Sequence, residues 1–324
     1  MPSYPGLSSE AFRHPLDKQA EQTLRSVPGF DLVATSFMEY LYERPQQISL
    51  MGNSIKVGPR QYGTLYGIFR ETVYDLDISP EPLIYVSQNP IANAYSLGKQ
   101  QPYIVLNAGL LDLSDEMELR TVVAHELGHI KCDHSVLIQM AIWAMGAASL
   151  LGELTLGLGN IISSGLIFAF YEWRRKAELS ADRAALLVID DPEPIFRMMM
   201  KMAGGSHKYA HECHLDEFLK QAEKYRELDE DDLNQLYKFL IYNGGNGVFL
   251  SHPFPVDRVH YLQNWANSRE YQEIRQGNYT RSEKSDSVNV ETNSESEEYA
   301  DSLRAQIEEL KQEIEKIKSQ NQPE

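Results

Sequence analysis

The chain has 324 residues, 42% hydrophobic and 24% charged, a globular composition with length for one large or two small domains and a core that needs no disulfide. Thirty Lys and Arg against 47 Asp and Glu leave a net charge of −17 and a pI near 5.0, which argues against a nucleic-acid binder because neutralising phosphates takes a basic footprint. Two cysteines, Cys132 and Cys213, cannot frame a disulfide scaffold, and the opening MPSYPGLSSEAFRHPLDK lacks the basic and apolar regions of a signal peptide; the expected compartment is reducing and cytoplasmic.

Residues 1–80 read as an N-terminal helical region packing on the rest of the chain. Leu32, Phe37, Met38, Leu41 and Tyr42 recur at near-helical spacing before Pro45. Between 82 and 106 the period changes to short β-type runs, 83–86, 92–96 and 103–106, separated by Pro90, Gly98 and Pro102, predicting a small sheet of about three strands. Ser114 with Glu116 and Glu118 marks a helix start. Residues 135–171 are strongly apolar, and 193–275 read as several further helices broken at Gly244-Gly245-Asn246-Gly247. From Glu283 to the end there are 12 acids and 5 bases. Residues 277–300, rich in Ser, Glu, Asp and Asn, predict a disordered acidic linker. In 301–320 the series Leu303, Ile307, Leu310, Ile314, Ile317 steps by 4, 3, 4, 3, the seam of a short parallel coiled coil that would support weak self-association. At this length a frayed amphipathic helix touching its own body is the alternative.

The informative segment is Ala124-His125-Glu126-Leu127-Gly128-His129. With nine histidines in 324 residues, a chance H-E-x-x-H arises roughly 0.02 times per chain of this length. On a helix, His125 and His129 share a face and can bind one tetrahedral Zn²⁺, while Glu126 stands where a base is needed. A third ligand is required, and Glu178 is the best candidate. Asp182, one turn later, can orient a ligand imidazole from behind. A solvated face beside Arg174, Arg175 and Lys176 is the plain alternative for both acids, but they lie among Ala181, Ala184, Ala185, Leu186 and Leu187, and a buried carboxylate needs a compensating charge or metal.

Four features stand in order over about residues 80–265: Asn93-Ala94-Tyr95; Pro102 to Leu111 leading into HELGH; Arg175-x-x-Glu178-x-x-Ala181-Asp182; and Ser251-His252-Pro253 with Arg258. The set resembles the HtpX-like zinc endopeptidase family, which includes the CaaX prenyl protease type. Arg174 stands where the family often has serine, and Tyr95-Ser96-Leu97-Gly98 replaces its commoner Phe-Ala version. The resemblance implies an α+β zincin domain over 81–276, mostly helical, whose small sheet has an edge strand facing the cleft. It implies one Zn²⁺ on His125, His129 and Glu178, with Glu126 as general base and then acid. His252 and Arg258 are implied to help hold the oxyanion, and the edge at Asn93, Ala94 and Tyr95 to receive substrate by strand addition.

The implied function is an endopeptidase acting on unfolded or extended proteins in quality control. The alternative is a chaperone-like module that captures extended chains with little or no cleavage. The runs 135–152 and 154–171, parted by Glu153, are each about 27 Å as helices, just short of a hydrocarbon core. Two readings of this helical hairpin stay open, a membrane-inserted pair and a pair packed on the N-terminal region. His207, His211, Cys213 and His214 read as a surface loop rather than a second metal site, and His14, His134 and His260 have no partner nameable from sequence.

Overall fold

The computed structural model describes residues 4–27, 30, 34, 44–99, 101–140, 158–229 and 253–282. Helix α1 (Pro15–Arg25) starts with proline at its first turn, and His14 Nδ1 accepts from the Leu16 amide at 3.1 Å, satisfying one of the free donors of a helix start. Next come α2 (Arg44–Asn53), strand β1 (Ser54–Lys56) and α3 (Gly63–Asp75). The purely helical reading of residues 1–80 therefore misses a strand. Three residues are too few to show an alternating pattern, and β1 exists through its antiparallel pairing with the next strand.

The sheet has four strands in the order β1-β2-β4-β3, one more than the periodicity suggests, with β2 at Leu83–Ser87, β3 at Ala94–Leu97 and β4 at Tyr103–Asn107. Strands β2 and β4 run parallel, with Leu83 opposite Tyr103, whereas β3 is antiparallel to β4, with Ala94 opposite Leu106. Strand β4 is buried along its whole length, as an inner strand of Tyr, Ile, Val and Leu should be. Strand β3 forms one edge of the sheet and β1 the other.

A short α4 (Ala108–Leu113) leads into α5 (Glu116–Lys131), which carries the HELGH segment. The start of α5 lies one residue later than the Ser114 signal suggests. Asp115 Oδ1 accepts from the Glu118 amide at 2.9 Å, and Glu118 Oε2 accepts from the Asp115 amide at 2.8 Å, a reciprocal capping box. The long helix α6 (Leu158–Ile189) packs along α5, and α7 (Pro192–Gly204), α8 (Leu215–Asp229), α9 (Pro255–Ala266) and α10 (Arg269–Arg275) complete the described elements. The fold is α+β, mostly helical around a small mixed sheet.

One core joins Ile84, Val86, Ile104 and Leu106 of the sheet to Val123 and Leu127 of α5, Leu186 and Leu187 of α6, and Leu7 and Phe12 of the chain start. A second cluster packs Leu137, Ile138, Phe170 and Trp173 on Leu24, Phe30 and Ala34, so both described ends of the apolar 135–171 segment rest on the N-terminal region. No described helix is long and apolar enough to cross a membrane. The middle of that segment, the glycine-rich break at 244–247 and the coiled-coil seam lie outside the described residues, as does most of the 277–300 linker. Its first residues depart from the disordered reading. Ser8 donates to Thr280 O and Ser282 to Gly6 O, and Tyr279 meets Tyr4 edge-on at 5.9 Å; one aromatic anchor and strand-like bonds to the chain start hold 277–282 in place.

The crossing of α5 and α6 is tight because Gly128 faces Ala181 and Ala184. A Cβ at position 128 would stand 2.6 Å from Ala184 Cβ and 3.1 Å from Ala181 Cα. Alanine in a helix ordinarily gains up to about 1 kcal/mol over glycine. Here Gly128→Ala is expected instead to destabilise the protein by about 1–3 kcal/mol through overpacking, and to weaken metal binding by prising the two helices apart. Denaturant unfolding of the metal-free protein together with zinc titration checks this; a variant as stable as its parent would show that the contact is not tight.

Candidate metal centre

Helix α5 presents His125 and His129 one turn apart, and α6 brings Glu178 across from them. His125 Nε2 lies 3.2 Å from His129 Nε2 and 3.2 Å from Glu178 Oε2, and His129 Nε2 lies 3.4 Å from Glu178 Oε1. Donors about 2.0–2.1 Å from a tetrahedral ion stand about 3.3–3.4 Å apart, so these separations match the edges of a zinc tetrahedron. The donor chemistry agrees, since two imidazole nitrogens and one carboxylate oxygen are ligand types that zinc takes. Among the described residues this is the one group of histidine, cysteine and acidic side chains able to hold an ion. The surface histidines at 207, 211 and 214 do not assemble into another.

A carboxylate and an arginine stand behind the group. Asp182 Oδ1 is 3.0 Å from His125 Nδ1, so in the neutral ring Nδ1–H donates to the carboxylate and Nε2 is bare. Arg258 of α9 donates to Asp182 through Nε at 2.8 Å and Nη2 at 2.5 Å, and Nη1 lies 3.3 Å from Glu178 Oε2. Burial works against ionised Asp182, but Arg258 and His125 outweigh it and hold its pKa below the usual carboxylate range. Burial likewise works against protonated His125, yet its bonds to Asp182 and Glu178 raise the pKa of the metal-free ring to about 9.

The second imidazole is backed differently. His129 Nδ1 lies 3.0 Å from His134 Nδ1, and His134 Nε2 lies 3.0 Å from Asp17 Oδ2 of α1. Burial lowers the His134 pKa despite the nearby Asp17. The arrangement joins residues to which the sequence pattern assigns no partner. His134 carries a local signal as a histidine just past the metal-binding helix; Asp17 carries none.

Glu126 is 6% exposed and lines a cleft of about 600 Å³, open solvent included. Asn93 and Ala94 border it at the sheet edge, and Ile195, Met198, Met199 and Met202 of α7 wall it. Lys201 Nζ holds α7 to α5 by a 2.6 Å ion pair with Glu118 Oε2. No motif singles out these methionines, although PIFRMMMKM shows a helical apolar face. Tyr95 follows Ala94 on the same edge strand. Strand alternation turns its side chain away from the cleft to pack with Leu50, Tyr85 and Tyr103. Arg258, read from the resemblance as an oxyanion contact, lines the cleft with its guanidinium paired to Asp182 and Glu178. His252 lies outside the described residues.

The family model for peptidase family M48 matches residues 59–266. The chain belongs to peptidase family M48. It is 36% identical over 271 residues to the plastoglobule-localized metallopeptidase 48, chloroplastic, of Arabidopsis thaliana, covering 83% of this chain and 76% of the plant protein. It is 30% identical over 144 residues to a protease HtpX homolog of Dictyoglomus turgidum, 43% of each chain, and 34% identical over 128 residues to one of Dictyoglomus thermophilum, 38% of this chain and 39% of that one. The chain thus spans less than half the length of the two bacterial relatives. No solved structure matches it. As an M48 peptidase it is a metalloprotease that depends on zinc.

If Asp182 fixes the His125 tautomer through its charge, Asp182→Asn should lower zinc affinity about 10–100-fold while the protein stays folded. Competition against a chromophoric chelator measures it, and unchanged affinity would remove Asp182 from the metal site.

Proposed function

We propose that this M48 peptidase cleaves extended or unfolded protein segments, with His125, His129 and Glu178 holding the zinc and β3 holding the substrate. The observation that carries the reading is the position of β3. It is an edge strand whose first residue, Ala94, with Asn93 just before it, borders the same cleft as His125, Glu126 and Glu178. An edge pairs with the backbone of any extended chain and selects little by side chain, which suits a peptidase that removes unfolded proteins.

When bound, the ion supplies Lewis-acid chemistry, a positive charge where the scissile carbonyl oxygen becomes negative. The protein does the rest. A substrate strand laid against β3 brings its carbonyl toward the two imidazoles and orients it, converting an encounter into a positioned reaction. The Glu126 carboxylate, buried at the cleft floor, accepts the proton of the attacking water and returns it to the leaving amine nitrogen. Asp182 keeps a proton on His125 Nδ1, and Arg258 holds both buried carboxylates in place. The methionine wall narrows access for bulk water and offers soft apolar surface to substrate side chains of varied shape.

Two experiments test this reading. Glu126→Gln is expected to retain zinc and bind unfolded substrate, while kcat falls about 10²–10⁴-fold with little change in KM; retained turnover by metal-loaded variant would remove Glu126 from the chemistry. Strand addition predicts alternation along the substrate, because only every second residue of a strand turns its backbone groups toward a given neighbour. A peptide N-methylated one residue at a time should lose cleavage at alternate positions beside the cut site. Uniform loss, or none, would count against β3 as the docking edge.

A further inference from the structure

The two zinc-facing imidazoles are backed by unlike partners. His125 meets a carboxylate directly. His129 meets His134, whose ring lies 5.2 Å from it, centroid to centroid, at 63°. This contact depends on how α5 ends: the helix closes at Lys131, and Asp133 takes a left-handed conformation with φ 57°. The chain thereby reverses and carries His134 back beneath the second ligand. His134 is 0% exposed and stands edge-on to Trp173 at 5.6 Å.

On the far side of His134 is Asp17, also 0% exposed. Its Oδ2 accepts from Ser180 Oγ at 2.7 Å and Arg13 Nε at 2.8 Å, and its Oδ1 from Arg13 Nη2 at 3.0 Å. Ser180 lies two residues beyond Glu178 on α6, and its Oγ also accepts from the His14 amide at 2.9 Å. The start of α1 is therefore bonded to the same helix that brings the carboxylate ligand.

Proton placement is set by what each atom can do. An ionised carboxylate only accepts, so the His134 nitrogen facing Asp17, Nε2, carries hydrogen. With both rings neutral, His134 Nδ1 is then a bare acceptor. His129 Nδ1 supplies the hydrogen between the rings, which leaves His129 Nε2 bare on the side of His125 and Glu178. One acceptor thus stands behind each ligand ring, directly for His125 and through a second imidazole for His129.

We propose that Asp17 and His134 are positioning residues of the metal centre, fixing the tautomer and ring orientation of His129, and that α1 thereby completes a site whose remaining parts lie within the M48-matched segment. Asp17 stands outside residues 59–266, so the chain's own N-terminal helix carries part of the metal's support. Zinc binding and docking of α1 are then coupled, since removing the acceptor behind His129 frees its ring to turn and its proton to move to Nε2. This inference rests on the assignment of His129 as a ligand.

The test compares His134→Leu, His134→Gln and Asp17→Asn with wild type in the full chain. Zinc affinity is measured by chelator competition, and the visible absorption of the Co²⁺-loaded proteins is recorded beside it. Leucine removes the acceptor, and zinc affinity should fall about 10–100-fold with altered cobalt bands. Glutamine offers an amide oxygen to His129 and an amide hydrogen to Asp17, and should restore affinity to within about threefold of wild type together with the cobalt spectrum. Asp17→Asn should fall between them. Unfolding of the metal-free proteins reads stability separately, and a merely structural tie would move that quantity alone. Folded His134→Leu with wild-type affinity and spectrum would overturn the proposal; if that variant does not fold, wild-type affinity in Asp17→Asn overturns it instead. A wild-type protein whose zinc affinity is untouched by His129→Gln would show that the ligand assignment itself has failed, an outcome distinct from the others.

Discussion

The structure depends on the close crossing of α5 and α6. Gly128 against Ala181 and Ala184 lets the two helix backbones approach nearer than any side chain would permit, and that approach brings Glu178 within 3.2–3.4 Å of the two imidazole nitrogens. On α6, Ala181 and Ala184 are both fully buried at this contact. Small residues here serve geometry more than burial, because each methylene added between the helices would move a ligand relative to its partners. The glycine inside HELGH is thus part of the metal site without touching the metal.

A consequence of that crossing is an accumulation of buried charge. Asp17, Glu178 and Asp182 all lie at 2% exposure or less, and a buried carboxylate is costly unless fully paired. Arg258 serves Glu178 and Asp182 together, Arg13 and Ser180 serve Asp17, and the imidazoles of His125 and His134 donate to Asp182 and Asp17. Their hydrogen-bonded partners, His134 and Arg13 for Asp17 and Arg258 and His125 for Asp182, hold both pKa values low against the pull of burial. Such a network favours one arrangement of four segments, α1, α5, α6 and α9, because displacing any of them strands a charge. Rigidity of this kind is what a metal site with ligands on separate helices needs.

The cleft joins this rigid centre to two surfaces of different character. On one side lies the edge of the sheet, which offers backbone hydrogen bonds and makes few demands on side-chain identity. On the other lies the methionine wall of α7, apolar but adaptable. Under the proposed reading neither surface demands a particular substrate side chain, whereas the metal centre between them allows little variation. Strand alternation divides the edge itself, turning Ala94 toward the cleft and Tyr95 toward the sheet's opposite face.

Local patterns determined much on their own. The i, i+4 spacing of His125 and His129, the glutamate between them, the α+β alternation of periods and the acid pair Glu178 and Asp182 were all legible in the sequence, because each is set by the pitch of a helix or strand. The three-residue strand β1 was not, since it has no pattern apart from its neighbour. Nor was the ordered stretch 277–282, where one tyrosine outweighs a polar composition, nor the task of Arg258, which depends on what faces α9. The Asp17–His134–His129 chain is the clearest case. Its two ends are more than a hundred residues apart, and no spacing rule relates a carboxylate on α1 to an imidazole on α5. Only packing decides such contacts, because a buried polar atom must find its partner wherever the folded chain places one.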